Sequence, residues 1–475
     1  MNKTVSSFLK NIFIFLIGSF GSKFLSFVLL PVYTSILSKG EFGQFDLVTT
    51  TQGLLFPMVT IGLSEAIFRF VMNEKFDKKN VMSIGTIASV VTYMITVCLS
   101  FIVNIFLKWE YMQWMNLLLA CTIVYGLFSN YLKANKDTRK FVAVGVLYTF
   151  LNLTCNILFL VVIPMGVEGL IISMIIANAV PSILIFFVEK LYKQIRVEFL
   201  DKALAKRMIK YSLPLIFTSL SWWIVTSSDR YMIRYFLSED EVGVYGVATR
   251  IPLILQTLIS IFQTVWQIST NQIHDEEPTE LKKNFILFTR AFRQVGFISG
   301  SGLLLITQFL MFLVARNEFY AGWIYAPFLI LSIVFSFATG MVASLYGAFE
   351  KNSGALYSVL VGGVVNIILN ALFIPRIGVM GATISTAISR LIIAIYRLKD
   401  TERLLSFDRE YSKVAINCIL ITSQCCCLVY MKDFVYPVQV AFFFVICLYN
   451  RKLFSDGATF LKSIRSKKHE KAEEQ

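Results

Sequence analysis

Histidine occurs twice in this chain, at His274 and His469. A metal site or a general base built on imidazole has almost nothing to draw on, and no metal or other cofactor is expected. The eight cysteines, at 98, 121, 155, 418, 425, 426, 427 and 447, all lie in apolar runs without metal-ligand spacing. Neither a zinc site nor a disulfide framework is expected of them; small apolar packing is. No glycine-rich phosphate loop of the ATPase type is present, which argues against ATP hydrolysis. No paired carboxylates stand deep in an apolar run, which weakens the case for a proton- or sodium-driven pump. Charge of either sign is scarce: Asp, Glu, Lys and Arg together make up 16% of 475 residues.

Apolar surface takes the place of charge. The chain is 56% hydrophobic, carries 43 Phe and has a mean hydropathy of +0.68. A soluble protein of this size could not bury that much, so an all-α polytopic membrane protein is expected. About fourteen segments are long and apolar enough to span as helices. They are 9–36, 44–72, 81–107, 115–133, 141–163, 168–188, 211–235, 243–270, 285–314, 322–349, 354–374, 379–397, 413–431 and 434–450. Pro31, Pro57, Pro181, Pro214, Pro252 and Pro327 fall within or near span ends, where kinks are expected.

The chain repeats itself. Residues 37–50 read LSKGEFGQFDLVTT and residues 237–250 read LSEDEVGVYGVATR, an offset of 200 that matches Leu37, Ser38, Glu41, Gly43 and Thr49 with Leu237, Ser238, Glu241, Gly243 and Thr249. A second pair follows in the same order: GVEG at 166–169 and GVMG at 378–381, each after two Asn at helical spacing, Asn152/Asn156 and Asn366/Asn370. Two homologous six-helix lobes plus two extra C-terminal helices are therefore expected. The expected divisions are an N-lobe at 1–188, a connector at 189–210, a C-lobe at 211–397, the last two spans at 398–450, and a tail at 451–475.

The net charge of +14 could suggest nucleic acid. The distribution of Lys and Arg argues otherwise, because they concentrate in alternate loops at 74–80, 133–140, 189–210 and 398–412. That pattern places both termini and the connector in the cytoplasm, with Trp109, Trp114 and Trp323 at the outer interface. No nucleic-acid partner is expected.

Ionisable groups inside spans cost about 2.5–3.5 kcal/mol each and are functional candidates. Lys23 lies midway along the first span among Gly18, Gly21 and Ser22. Asp229, Arg230 and Arg234 end the seventh span, and Arg250 stands in the eighth with Gln256, Gln263 and Gln267. Glu65 and Arg69 are spaced to form an ion pair on one helix face. Arg290, Arg293, Arg390 and Arg397 lie toward the cytoplasmic half, where an interfacial role is expected. The surplus of fixed positive charge suits phosphate, and the amides suit sugar hydroxyls.

Three stretches resemble the polysaccharide flippases of the Wzx type, in the multidrug/oligosaccharidyl-lipid/polysaccharide (MOP) exporter superfamily. They are Leu30–Thr34 (LPVYT) with the LSKGEFGQFDL that follows, SSDRYMIRYFLSEDEVGVYGVATRI at 227–251, and NIILNALFIPRIGVMGATISTAIS at 366–389. The resemblance implies a V-shaped bundle of two six-helix lobes. It also implies a flippase that moves undecaprenyl-diphosphate-linked oligosaccharide units across the bacterial cytoplasmic membrane by alternating access. Its partners would be that lipid-linked oligosaccharide, membrane lipids and other polysaccharide-assembly membrane proteins. Lys23 would hold the pyrophosphate, helped by Arg250 and Arg230, with Asp229 beside them in the substrate-binding set, and Gln256, Gln263 and Gln267 would contact sugar or bridge to it by water. Relatives that flip the peptidoglycan precursor use cationic residues in this way, and their last two helices form a lipid-tail groove. A cation-coupled multidrug exporter of the same fold is the alternative, followed by a membrane polysaccharide polymerase. The polymerase would need a large outer loop with catalytic side chains, and the outer loops here are short.

Overall fold

The computed structural model describes residues 27–260, 263 and 278–451, apart from positions 74, 136, 350 and 432. Among these residues the secondary structure is helical throughout, with no strand. Among the described residues nine helices are long and apolar enough to cross a bilayer, and twelve spans result when three bent pairs each count as one. Two shorter apolar helices, Phe27–Ile36 and Val435–Tyr449, complete the set, so every predicted segment contains a helix.

In chain order the elements used below are α1 (Leu30–Ile36), α2 (Lys39–Val59), α3 (Leu63–Met72), α4 (Lys78–Leu107), α5 (Met112–Ala134), α6 (Thr138–Ile157), α7 (Gly166–Val188) and α8 (Lys202–Phe236). They continue with α9 (Glu239–Ala248), α10 (Leu253–Ser260), α11 (Pro278–Val314), α12 (Ala326–Thr339), α13 (Asn352–Ile377), α14 (Val379–Asp400), α15 (Tyr411–Tyr430) and α16 (Val435–Tyr449).

Each repeated motif has a local job. Ser38 caps α2 in a capping box: its hydroxyl accepts from the Glu41 N–H (3.3 Å), and Glu41 Oε2 accepts from the Ser38 N–H (2.8 Å). In the second copy Ser238 accepts from the Glu241 N–H at 3.3 Å, at the start of α9. The Asn pairs also repeat. Asn156 Nδ2 donates to Asn152 Oδ1 (3.0 Å), and Asn370 Nδ2 donates to Asn366 Oδ1 (3.1 Å). Polar groups in an apolar segment need such partners. The two-fold echo read from the sequence is thus an echo of hydrogen bonds.

Three bends lie beside proline. The α2–α3 axis turns by 53° beyond Pro57, where Gly62 takes the left-handed conformation, and α9–α10 turns by 47° beside Pro252. The helical segment Asn317–Ile324 meets α12 at 51°, next to Pro327. Pro181 and Pro214 lie inside continuous helices.

By their contacts the described residues form two compact units, 27–243 and 244–451. In the first, α7 packs along α5 and α6, and α3 packs on α5. Its core joins Leu63, Ile67, Met82, Leu119, Leu127 and Met208. The helix α8 belongs to the second repeat by sequence, yet it packs in this unit against α2, α3 and α4. Sequence similarity records descent; packing is decided by which apolar faces meet. The cation-rich connections gather at one end of this unit. Lys78 Nζ donates to Asn135 Oδ1 (2.7 Å), Lys140 Nζ pairs with Glu189 (2.7 Å), and Lys79 lies over the Phe199 ring. At the other end Trp109 Nε1 donates to Gln44 (2.7 Å) and Trp114 Nε1 to Glu168 (3.3 Å). Trp109 is buried, so it braces α2 and does not face headgroups as a belt residue would.

In the second unit α13 packs along α14, α12 along α14, and α15 and α16 pack on α11.

Candidate functional site

The helix α2 carries two chemistries on two faces. Thr49, Gln52, Gly53 and Phe56 face a cavity of about 290 Å³, closed by Thr122 of α5, Tyr148 of α6, and Met174 and Asn178 of α7. Gln52 Nε2 donates to Thr122 Oγ1, and the Tyr148 ring stacks on Tyr125 with centroids 5.2 Å apart. Amides, hydroxyls and a phenol in one concavity are the groups that bind sugars and other hydroxyl-rich ligands.

Beside this cavity α8 is clamped onto α2. Trp223 Nε1 donates to the Thr50 carbonyl (2.9 Å), and Thr51 and Tyr231 hydroxyls share a hydrogen bond. One turn nearer the start of α2, Arg230 Nε donates to Asp46 Oδ2 at 2.5 Å, while Nη1 reaches Asp229 Oδ1 at 3.5 Å and the Thr226 carbonyl at 3.1 Å. Asp46 and Asp229 are 2% and 1% exposed. Carboxylates at that depth persist only when paired, and the Arg230 guanidinium bridges both. The sequence had suggested no such pairing. Asp46 and Arg230 are 184 residues apart, and nothing in either segment announces the contact. One turn on, Arg234 pairs with Glu239 at 2.7 Å, both about one-third exposed.

Of the other residues singled out from sequence, Lys23 and Gln267 lie outside the described residues. Arg250, Gln256 and Gln263 belong to the 244–451 unit and are half-buried, Arg250 at the break between α9 and α10. The expected Glu65–Arg69 ion pair does not form. Both side chains are exposed, and the Arg69 guanidinium instead lies 4.6 Å from the centre of the Tyr211 ring. An exposed helical ion pair is worth only a few tenths of a kcal/mol, roughly 0.3–0.5, so an aromatic face across the helix gap competes with it readily. Arg293 and Arg397 are buried and bonded inside the protein. Arg293 reaches the Arg409 carbonyl (2.7 Å) and Glu410 (3.2 Å), and Arg397 reaches Ser358 (2.9 Å). Among the described residues no group of His, Cys, Asp and Glu is arranged to hold a metal.

A repeated array of apolar helices, bent beside proline, with a polar cavity and buried ion pairs on α2, defines a multi-pass membrane protein. The polysaccharide biosynthesis protein family model matches residues 8–267, and the chain belongs to that family. No curated protein matches the sequence. Among solved structures the chain is similar to the lipid II flippase MurJ in its inward closed conformation, with a TM-score of 0.66 at 15% identity over 93% of this chain and 99% of that one. It is also similar to a multidrug resistance MATE family transporter of the MOP superfamily. The inward-facing conformation gives a TM-score of 0.65 at 16% identity over 81% of this chain and 96% of that one; the outward-facing conformation gives 0.60 at 17% over 86% and 95%. These likenesses establish the fold.

Proposed function

We propose that the chain flips undecaprenyl-diphosphate-linked oligosaccharide repeat units across the bacterial cytoplasmic membrane, for capsule, exopolysaccharide or O-antigen synthesis. The observation that carries this reading is the cavity lined by Gln52, Thr122, Tyr148 and Asn178, whose polar groups suit a sugar, in a chain of the polysaccharide biosynthesis family. The mechanism is alternating access, with the oligosaccharide in a polar cavity and the lipid tail in the bilayer. Lys23 holds the pyrophosphate, helped by Arg250 and Arg230, and Gln256, Gln263 and Gln267 contact sugar directly or through water. Asp229 positions Arg230. The loop charges put both termini in the cytoplasm. Other polysaccharide-assembly membrane proteins are the expected partners.

The test is to deplete the protein and identify the lipid-linked sugar that accumulates. A complete repeat unit on undecaprenyl diphosphate, facing the cytoplasm, is the expected result; its absence overturns the reading. Lys23→Ala in an inserted, folded protein should stop export. A cation-coupled multidrug exporter is the second reading, favoured by the two buried carboxylates at Arg230. It predicts unchanged surface polysaccharide on depletion and new sensitivity to cationic dyes.

A further inference from the structure

The opposite face of α2 borders a second cavity, a groove of about 490 Å³ bounded by α2, α4, α5 and α8. That volume falls in the ~300–1,000 Å³ range of ligand sites. The groove is walled by Leu55, Ile95, Leu99, Val103, Met112 and Met115, among others. Its hydroxyls are engaged by the protein itself. Thr51 donates to the Leu47 carbonyl (2.7 Å), Thr96 to the Thr92 carbonyl (2.9 Å) and Ser100 to the Val97 carbonyl (2.8 Å). The walls therefore present methyl and methylene groups and ask for hydrocarbon, unlike the amide-lined cavity on the other face.

Three further features narrow the occupant. The α4 lining runs from Thr92 to Leu107, about 22 Å at 1.5 Å per residue, so the groove is elongated along the direction of a lipid tail. Ile95 and Leu99 are 54% and 55% exposed, so the groove opens sideways toward the bilayer. At one end it meets Arg234, a cation held by a single, partly exposed carboxylate that a phosphate can replace. The wall near that end includes Tyr231, the neighbour of Arg230, so the groove adjoins the clamp of α8 on α2.

Resting on the flippase reading above, we propose that this groove binds the polyprenyl tail of the transported lipid while Arg234 adds a further cation to those that meet its diphosphate. The tail site is thus formed by the first unit, on α2, α4, α5 and α8, and not by the last two helices. The tail and the sugar are then read by opposite faces of the same helix.

The test uses the full chain in nanodiscs of phosphatidylethanolamine and phosphatidylglycerol. The probe is undecaprenyl diphosphate carrying a photoreactive group on its tail. Labelling should map to peptides of α4 and α5, and should be competed by unlabelled undecaprenyl diphosphate but not by excess phosphatidylglycerol. Leu99→Trp, which fills the groove from an exposed position, should lower labelling at least tenfold. Phe101→Trp, equally exposed on α4 but outside the groove, should leave it unchanged. Arg234→Gln should weaken capture of the diphosphate probe several-fold and leave capture of the uncharged prenol unchanged. Labelling that survives Leu99→Trp, or that phosphatidylglycerol competes equally well, overturns the groove assignment while the flippase reading stands. A wild-type protein that captures no undecaprenyl diphosphate anywhere overturns both.

Discussion

Gly43 and Gly243 meet backbone to backbone. A methyl group placed on Gly43 would strike the Glu239 carbonyl, and one placed on Gly243 would strike the Lys39 carbonyl; each would also lie about 3.1–3.2 Å from the other glycine's nitrogen. The contact is reciprocal because positions 39 and 43 correspond to 239 and 243 in the repeat. The obstacle on each side is main chain, which cannot swing away. Gly43→Ala and Gly243→Ala should each destabilise the protein by about 1–3 kcal/mol. Gly145→Ala, a helical position with open space around it, should be neutral or slightly stabilising. Thermal unfolding of the three variants in one detergent checks the contrast.

The cap of α2 is a separate and smaller contribution. Ser38→Ala should cost about 1 kcal/mol, since it leaves the Glu41 N–H without its acceptor. Ser38→Asp should keep most of that stability. Hydrogen exchange at residues 39–43 would localise the loss to the first turn.

Arg230 joins α8 to α2 through buried carboxylates, so its loss strands charge in an apolar setting. Arg230→Gln should destabilise by about 3–5 kcal/mol and abolish export. Combining it with Asp46→Asn should cost less than the sum of the single changes, because the second substitution removes a charge left without its cation. A double-mutant cycle on unfolding measures that coupling. Additive effects would mean that the two side chains do not interact.

Glu410 ties α15 to α11. Burial acts to raise its carboxyl, but Lys413, with Arg290 and Arg293, outweighs burial and holds the group below its ordinary 4.5. The nearest contacts are 2.5 Å to Lys413 Nζ, 3.1 Å to Arg290 Nε and 3.2 Å to Arg293 Nη2. A carboxyl lowered by folding adds stability that is complete above its unfolded value and fades as pH falls through the folded one. The melting temperature should therefore drop on acidification below about pH 4.5, and Glu410→Gln should flatten that part of the profile.

The sequence carried the helices well, because a bilayer forces about 20 apolar residues into each span and composition shows them directly. The repeat was legible too, since the capping serine, the glycines and the asparagine pairs are local features with fixed spacing. What could not be read was which polar residue meets which across the bundle. Asp46 found Arg230 at a distance of 184 residues, while Arg69 left the well-spaced Glu65 for the ring of Tyr211. Helical spacing states which side chains share a face; it is silent about the face opposite. Trp109 shows the same limit, having been expected at the interface and found buried against Gln44. Of the cavity on α2, no lining residue other than the repeated Thr49 stood out in sequence, because threonine, tyrosine and glutamine are ordinary in such helices until three of them converge.

The glycine contact has one more consequence. Its geometry is that of an isologous interface, the kind formed when two identical subunits present the same patch to each other. Here both patches belong to one chain, so they are free to diverge: Lys39 and Glu239 occupy equivalent places with opposite charge, and Phe45 has become Tyr245. A symmetric dimer must accept every substitution twice. This chain can tune one side of the junction at a time, and it has retained glycine at the two positions where the main chains touch.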